Sequence, residues 1–159
     1  MLSLAGIPGI YFHSLVGSGN DVSGMEESGI PRRINRQKYD LDELTHTLTD
    51  KVSLQFEIFN RYRSLVNIRT QQSAFHPNGD QVVLDIDNRQ VLGFSRTNPD
   101  KTESIIVLYN FSCKKQTIRI KNNSKHSGTD LMTKEQVILS NPITLAPLMF
   151  RWVKLNVPT

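Results

Sequence analysis

The chain has 159 residues, of which 38% are hydrophobic and 21% charged, a globular composition with room for one ordinary domain and an appended segment. Nineteen basic against fifteen acidic residues give a net charge of +4, which is too mild to make nucleic acid the first expected partner. The single cysteine, Cys113, excludes an internal disulfide framework and fits a reducing compartment.

Residues 1–16 are the most apolar part of the chain. They lack the basic region of a secretion signal, since the first basic side chain is Arg32, and the apolar run is too short to span a bilayer. We therefore expect a soluble cytoplasmic protein without membrane contact. Glycine and proline bound the run, which predicts a doubly buried strand over residues 7–12 that would need neighbouring strands.

Residues 17–40 are polar and punctuated by glycine, which predicts a long loop. A short helical turn is expected next, over residues 41–48. Apolar side chains at helical spacing then predict an amphipathic helix that Thr49 or Asp50 would cap. Turn signals at residues 76–80 end this half of the chain.

Beyond residue 78 the hydrophobic period changes from about 3.6 to about 2. Short runs between turn signals predict strands, and the first two would form a hairpin. The predicted strands cover residues 81–86, 90–96, 104–109, 116–121, 136–139, 143–145 and 148–155, with a polar loop over residues 122–130. This pattern predicts an antiparallel β-sandwich or barrel. The chain therefore divides into residues 1–78 and a β domain over residues 79–159.

Two carboxylates, Asp85 and Asp87, could serve acid/base chemistry, because alternate strand residues lie on one face about 6.6–7 Å apart. They also lead directly into the predicted hairpin, where aspartate is favoured for turn geometry, and we favour this structural interpretation.

The four histidines show no metal-ligand spacing, so neither a metal site nor a cofactor is predicted. They are His13, His46, His76 and His126. We expect the last three to lie at the surface. His13 differs because it closes the apolar segment just before the loop, and a packed or capping role is favoured over a functional one.

Three further motifs carry weak signals. Cys113 has no neighbouring base and is expected to be inert. The glycine-rich residues 17–21 lack the lysine and the following helix of a phosphate loop. A basic run at Arg32, Arg33, Arg36 and Lys38 is typical of a solvated face, although arginine forks also suit sugar hydroxyls.

Several of these segments together resemble a known family. The chain carries G-I-P-G-I-Y-F-H-S at residues 6–14, G-S-G-N-D at residues 17–21 and R-R-I-N-R at residues 32–36. This series resembles the end of the catalytic barrel in sucrose phosphorylases and their close relatives, within the α-amylase family of glycoside hydrolases. Residues 62–69, followed by residues 74–79, are similar to the family's last barrel helix and the segment after it, and residues 107–112 and 145–152 are similar to its C-terminal β domain.

The resemblance implies the last strand, loop and helix of a (β/α)8 barrel, followed by an antiparallel β-sandwich. It also implies a parent enzyme that moves glucose from sucrose or a related glucoside to phosphate, giving glucose 1-phosphate. In the family, the catalytic Asp, Glu and second Asp belong to earlier barrel strands, and no carboxylate of this chain matches them. We therefore assign no catalytic residue here and expect a truncated chain that is inactive alone.

One binding residue follows from the resemblance. The first arginine of R-x-I-N-R reaches the bound glucosyl unit in the subgroup, and that position is Arg32 here. The next position is acidic in the family pattern, whereas this chain has Arg33.

An alternative function is a stand-alone β-sandwich module that binds carbohydrate or a partner protein. Its one candidate sugar-stacking residue is Trp152, for which a core position is favoured. The exposed N-terminal strand could also pair with a second copy of the chain.

Overall fold

The computed structural model describes residues 1–121 and 127–156. Within these ranges, helices come first and strands follow. The helices are α1 (Phe12–Leu15), α2 (Val22–Ser28), α3 (Leu41–Thr49) and α4 (Leu54–Thr70), with short 3-10 helices at Pro31–Asn35 and Ser73–Phe75. The strands are β1 (Asp80–Val83), β2 (Val91–Thr97), β3 (Ser104–Asn110), β4 (Gln116–Ile118), β5 (Ser127–Asp130), β6 (Gln136–Ile138), β7 (Ile143–Leu145) and β8 (Phe150–Leu155).

The chain forms two compact units. The helical unit is Pro8–Asn67, and the β unit combines Met1–Ile7 with Ile68–Thr159. The sequence-based division at residue 78 differs from this one, because the first seven residues and the end of α4 pack with the strands.

The β unit contains a six-stranded sheet in the order β1-β2-β3-β8-β5-β6 and a two-stranded sheet of β4 and β7. Every pairing between these strands is antiparallel. The predicted first hairpin is present, with Asp80 opposite Thr97 and Val83 opposite Phe94. The predicted mainly-β class with an antiparallel C-terminal sandwich is confirmed.

One apolar core lies between the two sheets. Its central residues come from both, among them Leu108 of β3, Leu145 of β7 and Val153 of β8, all at most 1% exposed. The alternation of these side chains along short strands is what the period of 2 predicted. Their burial is the main term that holds the two sheets together.

The opposite face of the large sheet is covered by the N-terminal residues and the 3-10 helix Ser73–Phe75. Phe75 packs against Trp152 at a ring-centroid distance of 4.8 Å. Two buried arginines, Arg69 and Arg96, also lie in this layer, 8% and 0% exposed. Trp152 is 1% exposed, so the favoured core position is confirmed and the sugar-stacking role of the alternative hypothesis lacks an accessible ring.

Both buried guanidinium groups are bound by main-chain carbonyl oxygens. Arg96 donates to the carbonyls of Ser3, His76 and Asp80 at 2.6–3.2 Å. Arg69 donates in the same way, and its acceptors are the carbonyls of Leu2, Gly6 and Phe75. Burial lowers the pKa of both arginines, and the charge of Arg69 lowers that of Arg96 further. The two side chains thereby fasten the N-terminal segment to the sheet.

Glu103 forms a second polar junction in the same layer. Its carboxylate accepts from the Lys154 ammonium at 2.5 Å and from the amide of Ala74 at 2.9 Å. Burial acts to raise the pKa of this carboxyl, but the hydrogen bonds from Lys154, Ala74 and Ser73 outweigh it, so the pKa is lowered.

The strand predicted over residues 7–12 is wrong. The chain has no strand between Met1 and Gly79, and α1 begins at Phe12. Ile7 is 86% exposed. A strand needs a neighbouring strand to which its backbone is hydrogen-bonded. The Gly6 amide, just before this region, donates instead to the carbonyl of Pro77 in a loop. The proposed pairing of a second copy through this segment stays a prediction, without the strand that motivated it.

The predicted loop over residues 17–40 contains two helices, α2 and the 3-10 helix Pro31–Asn35. The turn predicted after it is confirmed as α3, whose N-terminal amides at Asp42 and Glu43 are capped by Asp40. The second predicted helix is confirmed as α4, but the predicted caps are wrong: Asp50 ends α3, and the Ser53 hydroxyl accepts from the Phe56 amide.

The strand β5 was not predicted, because Ser127–Asp130 carries no apolar side chain. It nevertheless lies inside the large sheet, between β8 and β6. A Cβ at Gly128 would lie 2.4 Å from the Lys154 carbonyl oxygen, so this pairing distance requires glycine. The rest of the predicted loop, residues 122–126, lies outside the described residues.

Candidate functional site

The motifs that carried the family resemblance meet in the helical unit. The side chains of Tyr11, Phe12, His13, Ser18 and Tyr39, called the loop cluster below, come from α1 and the loops on either side of α2. The His13 ring lies 5.2 Å from the Tyr11 ring and 5.9 Å from the Tyr39 ring, centroid to centroid. The favoured packed role of His13 is confirmed.

A chain of hydrogen bonds orients the imidazole. The Tyr39 hydroxyl donates to Ser18 Oγ at 2.7 Å, and Ser18 Oγ lies 2.9 Å from His13 Nδ1. Since Ser18 accepts from Tyr39, its own proton is free to be donated to Nδ1. The spacing of these three residues along the chain does not indicate the contact, because the intervening loop brings them together.

A small polar pocket opens beside the loop cluster, with a volume of about 240 Å³. Its walls are hydroxyl, amide and imidazole groups with no lysine or arginine. The lining residues are Tyr11, His13, Ser14, Ser18, Gly19, Asn20 and Asn35. Such walls can exchange hydrogen bonds with a neutral polar ligand.

Asp21 shapes the loop through three separate contacts. Its carboxylate accepts from the Gly24 amide at 3.0 Å and caps α2. The same carboxylate forms an ion pair with Arg33 at 3.3 Å. The Asp21 main-chain amide donates to the Ile34 carbonyl at 2.7 Å. Sequence reasoning missed the ion pair, because nothing in the spacing of residues 21 and 33 indicates it.

Arg32, the predicted glucosyl-binding residue, is exposed on the 3-10 helix Pro31–Asn35. Within the described part of the chain, its guanidinium has no hydrogen-bond or ion-pair partner. Its five donors are therefore available to a ligand. Its role stays a prediction.

The paired carboxylates form no acid/base site. Asp85 and Asp87 are both exposed in the connection after β1, and Asp85 binds the Lys121 ammonium at 3.1 Å. The structural interpretation of this pair is confirmed. Cys113 is a free, exposed thiol.

The remaining histidines give no site either. His46 and His76 are exposed, as predicted, and His126 lies outside the described residues. Across residues 1–121 and 127–156, no three His, Cys, Asp or Glu side chains are grouped so that they could hold a metal ion. No helix in the same ranges is long and apolar enough to cross a membrane.

The β half of the chain is similar to a known protein family. Residues 81–152 match the model of the family described as Maltogenic Amylase, C-terminal domain. The matched residues run from β1 into the first half of β8, so they include strands of both sheets.

Two curated relatives extend the similarity. The chain is 36% identical to glucosylglycerate phosphorylase of Escherichia coli over 154 residues, which is 97% of this chain and 26% of the relative. It is 50% identical to glucosylglycerate phosphorylase of Allomeiothermus silvanus over 84 residues, 53% of this chain and 15% of the relative. The chain thus spans about a quarter or less of these proteins. The predicted resemblance to the C-terminal portion of α-amylase-family enzymes is confirmed.

A solved structure agrees in fold. The crystal structure of an Anoxybacillus alpha-amylase superposes with a TM-score of 0.69 over 99% of this chain and 31% of that chain, at 20% identity. At this identity the similarity concerns the fold alone.

Proposed function

We propose that this chain supplies the C-terminal part of a glucoside phosphorylase, which transfers a glucosyl unit from glucosylglycerate to phosphate and releases glucose 1-phosphate. The observation that carries the proposal is the 36% identity over 97% of the chain with a glucosylglycerate phosphorylase. Glucosylglycerate is preferred to sucrose, the other donor that the resemblance implies, because both relatives described above bear that name.

In this function Arg32 binds the glucosyl unit. A guanidinium presents its donors in a fixed planar fork, which can bridge neighbouring sugar hydroxyls. The exposure of Arg32, and its lack of a partner among the described residues, support this role. Its contribution is to orient the sugar so that the glycosidic bond meets the catalytic groups.

The bond-breaking groups belong to the rest of the enzyme in this proposal. Cleavage of a glycosidic bond with retention of configuration at the sugar carbon needs two carboxylates held about 5–5.5 Å apart. In the chain, Asp85 is neutralised by Lys121 and Asp87 is exposed in a turn region. We therefore expect the chain alone to bind without turnover.

A chimera tests the proposal. The matching portion of the Escherichia coli glucosylglycerate phosphorylase is replaced by this chain, and phosphate-dependent release of glucose 1-phosphate is measured with glucosylglycerate and with sucrose. We expect turnover of glucosylglycerate by the chimera and none by the chain alone. Arg32→Ala should lower kcat/KM by roughly 100-fold, the scale of a misplaced substrate. Arg63→Ala, an exposed arginine on α4, is the control and should change little.

Each outcome is decisive. A folded chimera that releases no glucose 1-phosphate contradicts the proposal. If the chimera turns over sucrose faster than glucosylglycerate, sucrose is the donor instead of glucosylglycerate. Turnover by the chain alone would contradict the assignment of the catalytic groups to another part of the enzyme.

A further inference from the structure

Asp21 connects three pieces of the helical unit through separate atoms. Its Oδ1 caps α2 through the Gly24 amide, and its main-chain amide donates to the Ile34 carbonyl. Its Oδ2 meets Arg33 Nη2 at 3.3 Å. Two of the three links end on the 3-10 helix Pro31–Asn35, so Asp21 fixes this short helix through both its backbone and a side chain.

The ion pair is packed against α2. The Asp21 side chain is 11% exposed and that of Arg33 is 27% exposed. A Cβ at Gly24 would lie 2.3 Å from Asp21 Oδ2 and 2.6 Å from Arg33 Nη2, so only glycine leaves room for the pair. Water screens such a withdrawn pair less than it screens an exposed one.

The geometry of a 3-10 helix couples Arg33 to its neighbour. With about three residues per turn, successive side chains point about 120° apart around the helix axis. When Asp21 holds Arg33 on the α2 side, Arg32 must therefore point away from that side. The Asp21–Arg33 ion pair therefore sets the direction of the Arg32 side chain, although Arg32 is not a member of that pair.

We infer that Asp21 and Arg33 are positioning residues, whose ion pair holds Arg32 in the direction needed to bind the glucosyl unit. This inference rests on the proposed function for its consequence in catalysis. An acidic side chain at position 33, as in the family pattern, would face Asp21 with like charge, so this pair is particular to chains with arginine there.

Kinetics of the chimera provide the first test. Asp21→Asn keeps an acceptor for the Gly24 amide and removes the charge. We expect it to raise KM for glucosylglycerate about three- to fivefold, the range of a partly exposed ion pair. Arg33→Gln should raise KM to the same extent, and the double variant should raise it no further. Arg33→Lys keeps the positive charge and should raise KM less than Arg33→Gln does. The matched control is Asp40→Asn, which neutralises the N-cap of α3.

Amide hydrogen exchange of the full chain provides the second test, and it requires no activity. The amides of Asp21 and Arg36 bond to the Ile34 and Arg33 carbonyls. Both should exchange several-fold faster in Asp21→Asn and remain unchanged in Asp40→Asn.

The two tests separate the inference from the proposed function. If the chimera is inactive but exchange responds as expected, the ion pair holds the short helix and the proposed function has failed. Unchanged exchange in Asp21→Asn overturns the positioning role. An equal rise of KM in Asp40→Asn overturns it as well, because the effect would then be general.

Discussion

Replacing Arg96 by methionine should destabilise the β unit strongly. Arg96 is fully buried on the outer face of β2 and donates to three main-chain carbonyls. Methionine has a similar apolar stem but no donor. The carbonyl of Ser3, whose bond to Arg96 is buried, would lose its partner, and the N-terminal segment would lose one of its attachments to the sheet.

The magnitude follows from opposing terms. Hydrogen bonds to a charged group contribute about 1.5–3 kcal/mol each, and a buried carbonyl left without a partner costs about 1–3 kcal/mol. In the opposite direction, the methionine variant avoids the cost of burying a charged guanidinium. The same burial lowers the pKa of Arg96. The carbonyls of His76 and Asp80 are part-buried and can reach water. We expect a net loss of about 2–4 kcal/mol, or about 5–15 °C in Tm.

Urea unfolding followed by tryptophan fluorescence measures the effect. Trp152 is the single tryptophan and is 1% exposed in the same layer as Arg96, so its emission reports on unfolding of the β unit. The control is Arg119→Met, an exposed arginine in the same unit. If Arg96→Met lies within about 0.5 kcal/mol of the original chain, the carbonyl contacts do not stabilise the fold as argued.

Two further predictions concern the same unit. The Glu103 pKa lies below its ordinary value of 4.5, so the carboxylate stabilises the fold above that pH and loses the effect as pH falls through the lowered pKa. The urea midpoint of Glu103→Gln should therefore lie below that of the original chain at pH 7 and approach it at pH 3; a gap independent of pH would contradict this. Gly128→Ala should cost about 1–3 kcal/mol because its Cβ meets the Lys154 backbone. Gly19→Ala, with open space around it, should be neutral, and equal melting temperatures for the two variants would refute the packing argument.

The predicted strands are those that carry apolar side chains, either alternating or in a continuous run. In β7 the side chains alternate, with Ile143 and Leu145 buried and Thr144 exposed. In β3 residues 105–108 are all apolar and buried, because both faces of this strand are covered. In β5 the buried positions are Gly128 and Asp130, neither of which favours a strand. Their burial comes from pairing with β8, which depends on residues distant in sequence. The hydrogen bond that Asp130 accepts from the Met132 amide is local and forms the turn after the strand.

In the helical half, the local signals for α2 lie in its capping residues. Asp21 stands before α2 as an N-cap, and Gly29 follows it at a φ of +65°, the left-handed conformation that ends many helices. Between them α2 has too few apolar residues for a helical period to be visible. Capping residues, rather than hydrophobic spacing, were the evidence for this helix.

Arg32 and Arg96 show why residue type alone predicts a site poorly. Both are arginines in short polar or mixed segments, yet one is exposed and the other has no exposed surface. The difference lies in acceptors that folding brings together: the carbonyls around Arg96 belong to residues 16–93 positions away. Arginine next to distant backbone carbonyls becomes part of the scaffold, whereas the donors of Arg32 have no such acceptors among the described residues. For this reason the test of Arg32 must measure sugar turnover, and the test of Arg96 must measure unfolding.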